Sequence, residues 1–477
     1  MTLIENPSRH QDATYPALID SEVPSSRASI QSKEMEQKSV HDVEKAIAIG
    51  KREANKSPTF DEKNQAQVSS GANSSAPPDG GFQAWLAVAG GFCTIFASFG
   101  WINCIGIFQN YYQDNQLKSY SSSTISWIPS TESFMLFFFG LVAGKMTDMI
   151  GPRWPILLGS FLHVFGLMMT SISSKYYQIF LAQSLCSAIG CSFLFFPTIA
   201  AVGTWFSAHR ALAFGIMVSG SSIGGIVLPI MLNHLIPRIG FGWSMRIVAF
   251  IMLGLLIFGN LAVKSRLPPS KRRVKFQDFV QPFKEPAFAL LVVGAFFVYL
   301  GGFLPFTFII VQAEAEGMSS QLAGYLVPIV NAASTFGRII PGHMGDKYGV
   351  FNVMIIFTLF AGVISLALWL PASGNAAIIT FAALYGVASG TTLSILAALV
   401  AQISDVRDLG LRTGTMYAFS SVGVLVGSPI AGAIVAAQDG SFSGLKVFCG
   451  ATLLVGAVFT TASRQAQVGK FAFRKKI

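Results

Sequence analysis

Apolar runs of about twenty residues recur along this chain from residue 84 to 463, separated by short polar links, and they leave few folds open. In hydrocarbon every backbone N–H and C=O must bond within the protein, which favours helices for segments of this kind. At 1.5 Å per residue, about twenty residues cross some 30 Å of lipid tails. The runs predict twelve spans: 84–108, 126–146, 154–173, 177–204, 211–236 and 243–263, then 287–311, 322–343, 351–371, 376–402, 413–437 and 444–463. Only 12% of the 477 residues are charged and 52% are hydrophobic, whereas soluble domains carry about 25% charge. The sequence reads as an all-α membrane protein in contact with a lipid bilayer.

The formal net charge of +10 would suit nucleic acid, but its distribution argues against such a partner. Lys and Arg cluster at the ends of spans, as topology signals do. An even number of spans puts both termini on one side. That side holds eighteen Lys and Arg, seven of them in 264–284 and five in 464–476, against Lys118, Lys175, Arg238, Arg246 and Lys446 on the other. Excess positive charge stays inside, so both termini are expected in the cytoplasm; the plasma membrane is the expected host, with an internal membrane as the alternative. Residues 1–78, rich in Ser, Gln and mixed charge, read as a disordered cytoplasmic tail. Residues 264–286 read as a cytoplasmic linker, and 465–477 as a basic cytoplasmic tail. The five cysteines all fall inside apolar runs without CxxC spacing, so they read as small buried hydrophobes rather than disulfides or metal ligands.

The chain also repeats itself. Gly144-x3-Asp148-x2-Gly151 follows span 2, and Gly342-x3-Asp346-x2-Gly349 follows span 8, with Pro229 and Pro429 matched late in spans 5 and 11. The repeat predicts two pseudo-symmetric six-helix bundles, 79–263 and 287–464, with a site between them near the midplane. A carboxylate in such a turn can cap the free N–H groups of a helix start. Asp148 is expected to reach the start of helix 11 near 411–415, and Asp346 that of helix 5 near 209–213. Together with Gly144 and Gly342 they would form conformational latches; a cap within the local turn is the plainer alternative. The Gly-rich stretches of helices 5 and 11 read as packing surfaces.

Arg338 is a fixed cation inside span 8, which costs several kcal/mol unless it meets protein, water or a partner. Asn331, Ser334 and Arg338 step by three and four along one helix face. With Asn103, Tyr385 and Tyr417 they form the candidate substrate site, suited to an organic anion or a polar aromatic molecule. Structural glue is the competing reading for each of them. Glu132, the one acid well inside an apolar span, is a candidate carrier for a co-transported proton, or a plain interfacial residue near the outer face. No P-loop, HExxH or GxSxG pattern occurs, so neither ATP-driven transport nor an enzyme is indicated. No cofactor, metal or second subunit is implied.

The chain resembles the major facilitator superfamily and, within it, the fungal branch of the monocarboxylate porter family. The marks are Pro78-Asp79-Gly80-Gly81-Phe82-Gln83-Ala84-Trp85, Phe99-Gly100-x2-Asn103-x2-Gly106-x-Phe108-Gln109-x-Tyr111-Tyr112, Trp205-Phe206-x3-Arg210-x-Leu212-Ala213-x-Gly215 and the run from Asn331 to Gly349. The resemblance covers about 79–464 and implies a twelve-helix secondary transporter working by alternating access. Animal members carry a lysine where Asn103 stands and an acid where Ser334 stands; Arg338 is retained. The resemblance implies transport of a carboxylate, uptake of a riboflavin-like compound, or export of a secondary metabolite. A membrane nutrient sensor on the same scaffold is the rival from another class.

Overall fold

Gly240 decides the number of crossings. A continuous helical run from Arg210 to Ala262 has 53 residues, about 80 Å at 1.5 Å each, far more than one membrane thickness. At Gly240 the backbone turns to φ 78°, ψ 164°, outside helical space, so the run is two crossings joined at a kink. The computed structural model describes residues 77–269 and 277–468. The expectations for residues 1–76, 270–276 and 469–477 fall outside these described residues.

The helices are α1 (Phe82–Asp114), α2 (Thr124–Ile150), α3 (Arg153–Ile172), α4 (Tyr176–Gly203), α5 (210–239), α6 (241–262), α7 (Pro286–Ala315), α8 (Leu326–Tyr348), α9 (Val350–Trp369), α10 (Asn375–Gln402), α11 (Val406–Ala437) and α12 (Ser443–Val468). Ten runs are long and apolar enough to span a membrane by length and composition. Division at Gly240 adds one crossing. The last is α8, whose mean hydropathy is lowered by Asn331, Arg338, His343, Asp346 and Lys347. The fold is therefore all-α, with twelve transmembrane helices in two six-helix bundles. One boundary differs from the sequence reading: α12 continues to Val468, past the expected tail start at 465.

The surface is inverted relative to a water-soluble protein. Phe161, Phe336, Val458 and Leu261 are each more than 60% exposed along the bundle flanks, an apolar band suited to lipid. Inside each half, helices meet through small residues. Gly100 of α1 faces Gly224 of α5, and Gly294 of α7 faces the Gly456 backbone of α12.

Two seams join the halves, α2 along α11 and α5 along α8, related by the internal repeat. Both rely on glycine. A Cβ on Gly144 would strike the Gly410 carbonyl, one on Gly414 the Gly140 carbonyl, and one on Gly215 the Arg338 carbonyl. Gly151 and Gly349 end α2 and α8 with φ of 83° and 97°, a backbone conformation that L side chains rarely adopt.

The first helix of each half is interrupted. The α1 helix breaks after Ile102, at Asn103 and Cys104, and α7 breaks after Gly302, at Phe303. Both breaks border the same cavity.

Candidate functional site

Each repeated aspartate crosses to the other half. Asp148 accepts from the Gly410 N–H at 3.1 Å through Oδ1 and the Leu411 N–H at 2.7 Å through Oδ2. Asp346 accepts from the Ala211 and Leu212 N–H groups, both at 2.9 Å. These donors belong to the first turns of α11 and α5, where amides lack helical partners and the dipole favours negative charge. The local-turn alternative does not describe these bonds, because every donor lies in the opposite half.

The start of α5 is held from a second side. Asp79 Oδ1 accepts from the Ser207 and Ala208 amides, the latter at 2.7 Å. Sequence reading uses Pro78–Gly81 only as a mark of family resemblance and misses this cap. The available signal was an acid, able to hold φ of 51°, followed by two glycines. The opposite seam carries ion pairs instead. Lys145 Nζ lies 3.3 Å from Asp278 of the linker, both side chains buried, and Arg412 forms a two-pronged pair with Glu285.

A cavity of about 530 Å³ lies beside the seam between α5 and α8. Tyr299, Phe303 and Phe306 of α7, Ser334 and Arg338 of α8, and Tyr385, Ser389 and Thr392 of α10 form most of its wall; Phe99 and Asn103 of α1 represent the first half. The site expected between the halves is thus built mainly from the second half, with α1 closing it. A smaller hollow, about 410 Å³, lies beside Asp148 and linker residues 265–269.

Arg338 is 4% exposed and contributes to the cavity wall. Its Nη1 donates to the Val218 carbonyl at 2.7 Å and to the Ser221 hydroxyl, both on α5. Its Nε has no hydrogen-bond partner, and no ion pair to it occurs among the described residues. Asn103 donates to the Ser221 carbonyl at 3.1 Å, and Ser222 to the Ser334 hydroxyl at 3.3 Å. The polar face of α8 therefore meets Ser221, Ser222 and Gly225 of α5. Sequence reading treated that stretch as packing only; the signal was a Ser-Ser pair inside it.

Of the six predicted substrate residues, Arg338, Asn103, Ser334 and Tyr385 line the cavity. The Tyr385 hydroxyl donates to the Gly302 carbonyl at 2.8 Å, so its ring, more than its polar tip, is available. Asn331 is buried next to Gly225 and outside the lining. Tyr417 stacks on Phe137 at 5.3 Å, also outside the lining.

Glu132 is not interfacial. It is fully buried inside the first half, accepting from Trp101 Nε1 at 2.7 Å and Gln183 Nε2 at 2.9 Å. Gln183 in turn accepts from the Tyr112 hydroxyl at 2.6 Å. Gln183 sits in a π-helical segment of α4, Phe180–Ser187, a wound-out geometry common at functional positions. Ser187, at the end of the same segment, pairs with His163 at 2.9 Å. The cysteines are free, with Cys93 and Cys186 only partly buried. No group of three or more His, Cys, Asp or Glu with metal-site geometry occurs among the described residues.

Comparison with known proteins agrees with this architecture. The family model described as Major Facilitator Superfamily matches residues 90–380 and 291–476. The chain is 50% identical over 398 residues to "MFS-type transporter 1" of Ophiocordyceps sp. (strain BCC 1869), covering 83% of this chain and 89% of that one. It is 42% identical over 407 residues to the "Fujikurins efflux protein" of Gibberella fujikuroi, covering 85% and 88%. Among solved structures, the transporter FucP in its outward conformation aligns with a TM-score of 0.63 at 15% identity, over 79% of this chain and 98% of that one. The chain belongs to the Major Facilitator Superfamily.

Proposed function

We propose that this protein is a secondary transporter that exports a small organic solute, an anionic or polar aromatic secondary metabolite, across the plasma membrane by alternating access. The observation that carries the reading is Arg338: a buried cation with no carboxylate partner among the described residues, set in the wall of an aromatic-lined cavity. An unpaired buried charge costs several kcal/mol, and an anionic cargo supplies the missing counter-charge. Asn103 and Ser334 add neutral hydrogen bonds, and Phe99, Tyr299, Phe303, Phe306 and Tyr385 add flat apolar surface.

Asp148 and Asp346, supported by the close approach at Gly144 and Gly342, act as latches on the face that the Lys and Arg distribution assigns to the cytoplasm. With both latches made, the cavity communicates with the outside. Export is favoured over uptake because relatives bear names such as "Fujikurins efflux protein" and "Agnestins efflux protein AgnL12". The motifs that resemble the monocarboxylate porter scaffold keep Arg338, with Asn103 and Ser334 replacing the scaffold's charged pair. Glu132 carries the coupled proton, and the protein works as a monomer.

The test is to compare metabolites inside and outside cells with and without the protein, then to follow flux of the responding compound in sealed vesicles. Export that requires the protein and falls at least tenfold in Arg338→Gln supports the reading. A cargo that binds without crossing would point to a sensor and overturn transport. Undiminished flux in Arg338→Gln would remove Arg338 as the anchor.

A further inference from the structure

Arg338 faces two ways, and the two directions compete. Its guanidinium borders the cavity, yet Nη1 is committed to the Val218 carbonyl and the Ser221 hydroxyl of the opposite half. Asn103, also on the cavity wall, is committed to the Ser221 carbonyl. Two of the groups best placed to receive a cargo thus converge on one serine of α5, at the seam whose far end is latched by Asp346. Arg338 Nε, on a cavity-lining residue that is 4% exposed, has no hydrogen-bond partner. Buried donors are rarely left in that condition.

We infer that Val218 and Ser221 form a parking site for the Arg338 guanidinium, and that a planar aromatic anion in the cavity takes over its donors and loosens the α5–α8 seam. This inference rests on the transport reading and adds how cargo occupancy reaches the seam. A carboxylate oxygen is a stronger acceptor for a guanidinium than a neutral hydroxyl or carbonyl. A ligand shifts a conformational equilibrium only by its differential affinity for the two states. The parked and released positions of Arg338 provide that difference. A neutral molecule of the same shape would fill the aromatic wall without offering an equivalent acceptor. Charge, more than bulk, then triggers the cycle. Ser221 is a positioning residue: it touches Arg338 and need not touch cargo.

The experiment uses the full chain in lipid nanodiscs, native cysteines replaced and spin labels at His209 and Lys347, which flank the α5–α8 seam. The probes are 2-naphthoate and its neutral counterpart 2-naphthamide. Expected results are a shift of the label distances to longer values with naphthoate and none with naphthamide. Ser221→Ala should raise the open fraction without probe and bind naphthoate roughly 3- to 10-fold more tightly, one hydrogen bond's worth. Ser221→Thr, which keeps the hydroxyl, should restore the parent behaviour. Equal shifts with both probes, no naphthoate binding, or a Ser221→Ala protein indistinguishable from the parent would each overturn the inference. Naphthoate flux in vesicles separates the two readings. A charge-dependent shift without flux defeats transport and leaves the switch, whereas flux without that shift defeats the switch alone.

Discussion

Asp148 Oδ2 and the Leu411 amide nitrogen are 2.7 Å apart in space and 263 positions apart in sequence. The repeat supplies the counterpart, Asp346 Oδ2 to the Leu212 amide at 2.9 Å. A carboxylate shared between two amides at a helix start can be released as a unit, since the amides can turn to water once the helices part. These bonds are therefore suited to being made and broken in each cycle. Hydrogen bonds to a charged group contribute about 1.5–3 kcal/mol. Replacing Asp148 with Asn should lower the closed-to-open ratio at its seam about 10- to 100-fold. The check is a cysteine at Thr413, which is 1% exposed on α11. Its thiol should react with maleimide faster in Asp148→Asn, with a matching fall in transport. Unchanged reactivity would rule out the latch.

Glycines separate closure from folding. A Cβ at Gly144 strikes the Gly410 carbonyl across the halves, whereas a Cβ at Gly220 strikes the Phe92 carbonyl within the first half. The first clash exists only while the seam is closed; the second exists throughout. Gly144→Ala should express and fold yet fail to close the α2–α11 seam, cutting transport at least tenfold. Gly220→Ala should cost folding itself, about 1–3 kcal/mol from overpacking, read as a lower melting temperature. The same phenotype for both would remove the distinction.

Much of this organisation is legible in the sequence because it obeys period and repetition. Span lengths follow from hydrocarbon thickness, and the Gly-x3-Asp-x2-Gly pair marks equivalent turns, so the partners of Asp148 and Asp346 can be assigned to helix starts beforehand. What stays hidden depends on rotation about a helix axis. Asn331, Ser334 and Arg338 share a face by spacing, but spacing does not say that this face meets Ser221 and Ser222 rather than open cavity. Tyr417 and Tyr385 look alike as buried aromatics, and only packing sends one onto Phe137 and the other to the cavity wall. Glu132 lies near one end of its run by count, yet the fold surrounds it with Trp101 and Gln183.

The Glu132 network yields opposite results for two substitutions. Glu132→Gln removes the titrating group but keeps one acceptor and most of the shape, so the protein should fold with a small loss of stability. Its transport should lose dependence on the proton gradient, measured as flux against an imposed pH difference. Glu132→Ala instead strands the Trp101 and Gln183 donors, and each unsatisfied buried group costs about 1–3 kcal/mol. That variant should melt well below the parent. A Glu132→Gln protein with an intact pH response would make the network purely structural.

The linker supplies the last test. Residues 277–285 are fastened to the second half, since Phe283 packs on Phe288 at 5.7 Å and Phe419 at 6.2 Å, and Glu285 pairs with Arg412. Lys145 ties the same segment to the first half through Asp278, one helical turn from Asp148. The position equivalent to Lys145 in the repeat is His343, which is exposed, so among the described residues this ion pair reinforces the α2–α11 seam and has no counterpart at the other. Breaking a buried ion pair costs about 3–5 kcal/mol, and here the loss falls on the state in which that seam is closed. Asp278→Lys should open the α2–α11 seam, seen as faster labelling of the Thr413 cysteine and reduced flux. Reversing the pair, Lys145→Asp with Asp278→Lys, should recover a large part of both readouts, because attraction survives the exchange of signs. If the single variant is silent, or the double variant is no better than the single, the linker is a tether and does not take part in closure.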